Sequence, residues 1–161
     1  MDYLAVLKHG HQVGQSKLKL LSMVADGIED REDQVTPSLR EITRFFDGDL
    51  HIHFRQEEVA LFPALATAVG REGVVAAMLG EHQSIWKAID ILEEQMAALE
   101  SSSEEEKKNA AREIKMITRH IVGLLGAHIE KEETMLQPLA EKILPPDVLR
   151  GVSEQMDAVH A

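Results

Sequence analysis

The chain has 161 residues and a net charge of −11 with His neutral, which argues against a nucleic-acid backbone or an anionic membrane surface as its partner. It has no Cys, and this excludes disulfides, zinc–thiolate sites, iron–sulfur clusters and thiol catalysis together. Apolar residues make up 44% and charged residues 28%, while aromatics are only 4%, a globular composition rich in helix formers.

The first segment, about Asp2 to Asp26, places Leu4, Leu7, His11, Leu18, Leu21 and Ala25 at three-and-four spacing, so it predicts an amphipathic helix. Its Lys8, His9, His11, Lys17 and Lys19 interrupt any signal-peptide core. No apolar run in the chain approaches the ~20 residues of a membrane span, and the expected address is the cytoplasm. Gly27 reads as the stop, followed by a polar surface loop to Val35.

The second segment is expected to start at Thr36-Pro37, as an N-cap with Pro at the first helical position. Leu39, Ile42, Phe46, Leu50, His53, Glu57 and Leu61 form one stripe that keeps its phase through Asp47-Gly48-Asp49, so the helix is read through that tripeptide. Pro63 is expected to kink or end it, and Gly70 to Gly73 is the next connection. The third helix, about Val74 to Leu99, carries Val75, Met78, His82, Ile85, Ile89, Leu92, Met96 and Leu99. Ser103 and Glu106 then form a capping-box pattern, opening a fourth helix from about Glu104 to Leu136 with Ile114, Ile117, Ile121, Leu125, His128, Glu132 and Leu136 on one face. After Pro145-Pro146 a short amphipathic helix, about 146–159, is expected to dock on the bundle or on a second copy of the chain. The predicted architecture is all-α: a single domain over 1–161, with an up-down-up-down four-helix bundle over about 2–140 and a short C-terminal helix.

One stretch occurs twice. His53-Phe54-Arg55-Gln56-Glu57-Glu58 with Leu61 and Pro63 is echoed by His128-Ile129-Glu130-Lys131-Glu132-Glu133 with Leu136 and Pro138, and His11-Gln12 parallels His82-Gln83. A His and a Glu four residues apart lie one above the other on a helix face and can ligate one transition metal. In an up-down-up-down bundle the start of helices one and three shares an end with the close of helices two and four. His11, His53, Glu57, His82, His128 and Glu132 then fall in one core layer. Two carboxylates in a dry layer need a partner, and a dinuclear metal centre supplies it. His9 is the alternative on the first helix, but His11 sits better in the apolar stripe. His51, His120 and His160 are read as surface or outer residues. Glu58 and Glu133 point off the ligand face and are read as solvated or outer-shell.

These motifs resemble the hemerythrin-like, HHE cation-binding domains over nearly the whole chain. The resemblance implies two non-haem irons, with His11, His53, His82 and His128 as terminal ligands and Glu57 and Glu132 as bridges beside an oxo or hydroxo group. It implies binding, sensing or reduction of a small oxidant such as O2, NO or peroxide by a monomer or homodimer. Iron storage, delivery or sensing with the metal as cargo is the second reading, and a metal-free helical interaction module the third. The same donors also suit manganese or zinc. Oxygen-carrying members have a fifth His on helix three; here Met78 and Trp86 stand four residues either side of His82, so the asymmetric iron of the carriers is not expected. The Glu-x-x-His of ferritin-like proteins and the His-Glu-x-x-His of zinc peptidases are both absent.

Overall fold

The computed structural model describes residues 2–101 and 103–160, and every element among them is helical. Helix α1 covers Tyr3–Gly27. The second rod is continuous from Glu32 to Val69: α2 (Glu32–Phe45), a wider π-type turn (Phe46–Leu50), α3 (His51–Gln56), a second wide turn (Glu57–Leu61) and α4 (Phe62–Val69). Helix α5 spans Val74–Ala98. The last long rod is α6 (Glu104–Lys131), a third wide turn (Glu132–Leu136) and α7 (Gln137–Ile143), and α8 (Pro146–Asp157) closes the chain. The main packing pairs are α5 with α6, α1 with α6, and α1 with α2. No helix among the described residues is long and apolar enough to cross a membrane.

The helix pattern survives Asp47-Gly48-Asp49, as the unbroken stripe requires. The start of the second rod differs from the sequence expectation. The second rod begins at Glu32, so Pro37 lies inside it rather than at its first position. Glu32 and Asp33 suit the positive end of the helix dipole, and Gln34 and Val35 donate to the Arg31 carbonyl at 2.9 and 3.2 Å. Pro37 removes only one later bond, and burial of Ile28 and Val35 draws the connection in, so the loop expected up to Val35 is short.

At Pro63, where a kink or an end is expected, the rod is distorted but runs on to Val69, and past Pro138 the last rod runs on to Ile143. Each proline follows a wide turn in which the residue before it donates to a carbonyl five residues back: Phe62 to Glu57 and Gln137 to Glu132. The extra residue opens the turn, which relieves the proline ring of the carbonyl it would otherwise meet. Both openings start at the Glu of the repeated motif, so the distortion repeats with the sequence. Gly70 and Gly73 take positive φ, 91° and 77°, in the tight connection to α5. Ser103 caps α6 by accepting from the Glu106 amide at 3.4 Å.

The core is divided. One apolar cluster gathers Leu21, Ile42, Phe46, Ile85, Ile114 and Ile121; the other gathers Leu7, Leu61, Phe62, Met78, Leu136 and Met156. Along each long rod the residues of the two clusters are separated by one polar position or pair: His11, His53 with Glu57, His82, and His128 with Glu132. At roughly 1.5–3 kcal/mol for each large side chain buried, the two clusters supply the stability that lets a polar layer persist between them. Helix α8 buries Val152 and Met156 against the molecule; Ser153 Oγ accepts from the Tyr3 amide at 2.9 Å and Gln56 donates to the Met156 carbonyl at 3.2 Å. It therefore docks on its own chain.

Candidate metal centre

The polar layer holds the six residues singled out from the sequence, and none is more than 7% exposed. They form two groups, His11, His53, Glu57 and Glu132 on one side and Glu57, His82, His128 and Glu132 on the other, with donor atoms in each group within 4.8 Å of one another. Both carboxylates belong to both groups. His9, the alternative on α1, lies on the exposed face. Met78 is fully buried in the apolar cluster, and Trp86 packs its ring edge-on to Phe54 at 5.6 Å, so α5 brings one imidazole to the layer. His51, His120 and His160 are exposed.

All four imidazoles turn Nε2 inward. Glu57 Oε1 lies 3.1 Å from His53 Nε2, and Glu57 Oε2 lies 3.0 Å from His82 Nε2. Glu132 Oε2 lies 2.5 Å from His11 Nε2 and 3.6 Å from His53 Nε2, while Glu132 Oε1 faces His128 Nε2. Each carboxylate thus gives one oxygen to the His11–His53 pair and the other to the His82–His128 pair. The Nε2 atoms of His82 and His128 are 3.1 Å apart. Two nitrogen ligands at right angles on one ion, with bonds of ~2.1 Å, stand about 3 Å apart.

Electrostatics couple the groups tightly. Burial disfavours a charged His53, but the adjacent Glu57 and Glu132 carboxylates outweigh it and hold its pKa up at about 10. Burial likewise opposes charge on His128, and Glu132, Glu57 and Glu81 together raise its pKa. Burial pushes the Glu132 carboxyl up, yet the His11, His128 and His53 imidazoles facing it bring it well below the usual carboxylate range.

Two of the outward-facing nitrogens are held by Glu58 and Glu133, the carboxylates expected to be either solvated or behind the ligands. His11 Nδ1 donates to Glu133 at 3.1 Å and His82 Nδ1 donates to Glu58 at 2.8 Å. Glu81 lies 3.5 Å from His128 Nδ1. The second Glu of each repeat therefore reaches across to the lone His of a neighbouring helix. Glu58 and Glu133 do point off their own ligand face, but the neighbouring rod stands there. Glu81 was missed, although its place directly before His82 was the available signal. Phe54 stacks on His82, with ring centroids 3.7 Å apart and planes 7° from parallel, and meets His128 edge-on at 5.5 Å.

The donors suit a cation. Both oxygens of Glu57 and Oε1 of Glu132 are buried without a hydrogen-bond partner, despite the nearby nitrogens. Buried carboxylate oxygens left in that condition are costly, and a shared cation satisfies them. Imidazole nitrogen and carboxylate oxygen are donors for iron, manganese or zinc.

Comparison with known families agrees. The model of the hemerythrin HHE cation-binding domain matches residues 2–140. Among curated proteins, none matches the chain.

Proposed function

The chain belongs to the hemerythrin HHE cation-binding domain family, and from that premise we propose that it is a non-haem di-iron protein that binds, senses or reduces a small oxidant such as O2, NO or peroxide. The observation that carries this reading is the division of each buried carboxylate between two imidazole pairs. His11 and His53 would hold one iron, His82 and His128 the other, and Glu57 and Glu132 would bridge them. When bound, the irons supply redox change and coordination positions open to a small ligand. Two imidazoles and two carboxylate oxygens would close a four-coordinate ion such as zinc, whereas a six-coordinate ion such as iron or manganese keeps positions free.

The chain's own residues prepare that chemistry. Donation of Nδ1–H by His11 to Glu133 and by His82 to Glu58 fixes the tautomer and leaves each Nε2 lone pair facing inward. Phe54 and Phe62 lie against His82 and exclude water from that side. The apolar clusters on either side keep the layer dry, so charges inside it act in a low dielectric.

In this reading the rods form an up-down-up-down bundle closed by α8, one domain over 1–161. Ligands near the starts of α1 and α5 and near the ends of the other two rods support it. We place the protein in the cytoplasm, acting as a monomer or homodimer on a small molecule and without nucleic acid, in keeping with its charge of −11. Resident metal is favoured over cargo because every candidate ligand is buried.

Aerobic purification followed by metal analysis and absorption spectroscopy tests the proposal. Two irons per chain are expected, with near-ultraviolet charge-transfer bands that change when the reduced protein meets NO or peroxide. A folded chain that takes up no iron would overturn the reading.

A further inference from the structure

The two ends of the centre differ, and the differences fall at matching places of the internal repeat. Gly10 and Glu81 each precede the lone His of their helix. Glu81 brings a carboxylate oxygen to 3.5 Å from His128 Nδ1 and is itself held by Lys131 at 3.1 Å. Gly10 packs directly on His53 instead: a Cβ at that position would stand 2.4 Å from His53 Nδ1. That nitrogen is buried and, like His128 Nδ1, makes no hydrogen bond; the difference is that a carboxylate stands 3.5 Å behind His128 and a glycine behind His53.

The covering residues diverge in the same sense. Phe54 and Phe62 pack on His82, at ring separations of 3.7 and 5.4 Å. Their counterparts in the second repeat are Ile129 and Gln137, and Gln137 lines a surface pocket together with His11 and Glu133. A second open pocket, of about 260 Å³, has Gly10, His9, Asp49 and Ile52 in its wall and reaches His53. On the other side, the pocket bounded by Phe62, Pro63 and Leu79 stops at Glu58.

We propose that the two cation positions are inequivalent: the His82–His128 position retains its ion, and the His11–His53 position, opened by Gly10, exchanges its ion with solvent. This rests on the dinuclear reading given above. The physical basis is twofold. A carboxylate behind a ligating imidazole raises the ring's basicity and fixes its orientation, and its loss typically costs 10–100-fold in metal affinity. Exchange also needs a path for water or a competing ligand, and the pockets reach His11 and His53. Gly10 and Glu81 are positioning residues, acting through His53 and His128.

The test is metal release. The full chain is stripped with chelator, loaded anaerobically with two equivalents of ferrous iron, and challenged with excess chromogenic chelator. Release is expected in two phases of equal amplitude, with rates about 10- to 100-fold apart. Glu81→Gln should accelerate the slow phase and leave the fast one unchanged. Gly10→Ala, which displaces His53, should lower the stoichiometry to one iron released at the unchanged slow rate, with helical content verified by circular dichroism. Two irons leaving in one phase, Glu81→Gln leaving the slow phase unaltered, or Gly10→Ala retaining two irons at wild-type rates would each overturn the inequivalence. Should the wild-type chain bind fewer than two irons, the dinuclear reading fails first and this inference with it.

Discussion

Substitution of Glu132 by Gln distinguishes a shared bridge from a ligand serving one ion. Gln keeps the volume but removes the charge and replaces one oxygen with an amide nitrogen, and Glu132 offers its two oxygens to opposite sides of the centre. At a free metal concentration 100 times its Kd, each bound ion stabilises the native chain by about 2.7 kcal/mol. Two ions give about 5.4 kcal/mol. For a chain of this size, about 2–4 °C per kcal/mol turns that into a rise in Tm of about 10–20 °C on loading. His82→Ala removes a donor from one position only, so about half of the rise should remain. Glu132→Gln damages both positions at once, so nearly all of it should vanish. The assay is calorimetric melting of chelator-stripped protein with and without anaerobic ferrous iron. If Glu132→Gln keeps half or more of the wild-type rise, Glu132 is not a shared bridge; if the wild-type Tm does not move, the metal centre itself is refuted.

In stripped protein the raised pKa of His53, about 10 against ~6.5 unfolded, contributes stability that is full below pH ~6.5 and lost as pH climbs through about 10. The lowered pKa of Glu132 contributes stability present above ~4.3 and lost as pH falls through its folded value. Urea midpoints should therefore peak between about pH 4.5 and 6.5, and a midpoint still rising from pH 7 to 10 would contradict the pairing. Metal binding runs the other way, since the ion takes neutral imidazole; loading at pH 7 should release protons, read by titration calorimetry in two buffers of different ionisation enthalpy. Glu58→Ala and Glu133→Ala should each weaken metal affinity by about 10–100-fold, and unchanged binding isotherms would show that the bonds to His82 and His11 are idle. Phe54→Ala should cost about 3–5 kcal/mol in urea unfolding, because the ring is fully packed and stacked on His82; a loss below ~1 kcal/mol would mean the core closes over the gap.

What the sequence determined by itself is whatever depends on spacing along one chain. Three-and-four periodicity placed the helices, and His53 with Glu57 and His128 with Glu132 had to share a face, because a helix fixes where residue i+4 lies. The burial of His11 rather than His9 followed from the stripe. The entry at Glu32 in place of Thr36-Pro37 did not, since packing of Ile28 and Val35 offset the bond lost at Pro37. Nor did the continuation past Pro63 and Pro138, which depends on the widened turns before them.

Only the tertiary structure decided which groups meet between helices. The division of each carboxylate's oxygens between two imidazole pairs, the reach of Glu58 to His82 and of Glu133 to His11, and the contrast of Gly10 with Glu81 are all distances across helix–helix gaps. Periodicity assigns a residue to a face, but a hydrogen bond or a coordination bond forms over about 2–3 Å. That scale is fixed by how closely and at what rotation two rods pack, and side-chain volumes throughout both apolar clusters set that packing together.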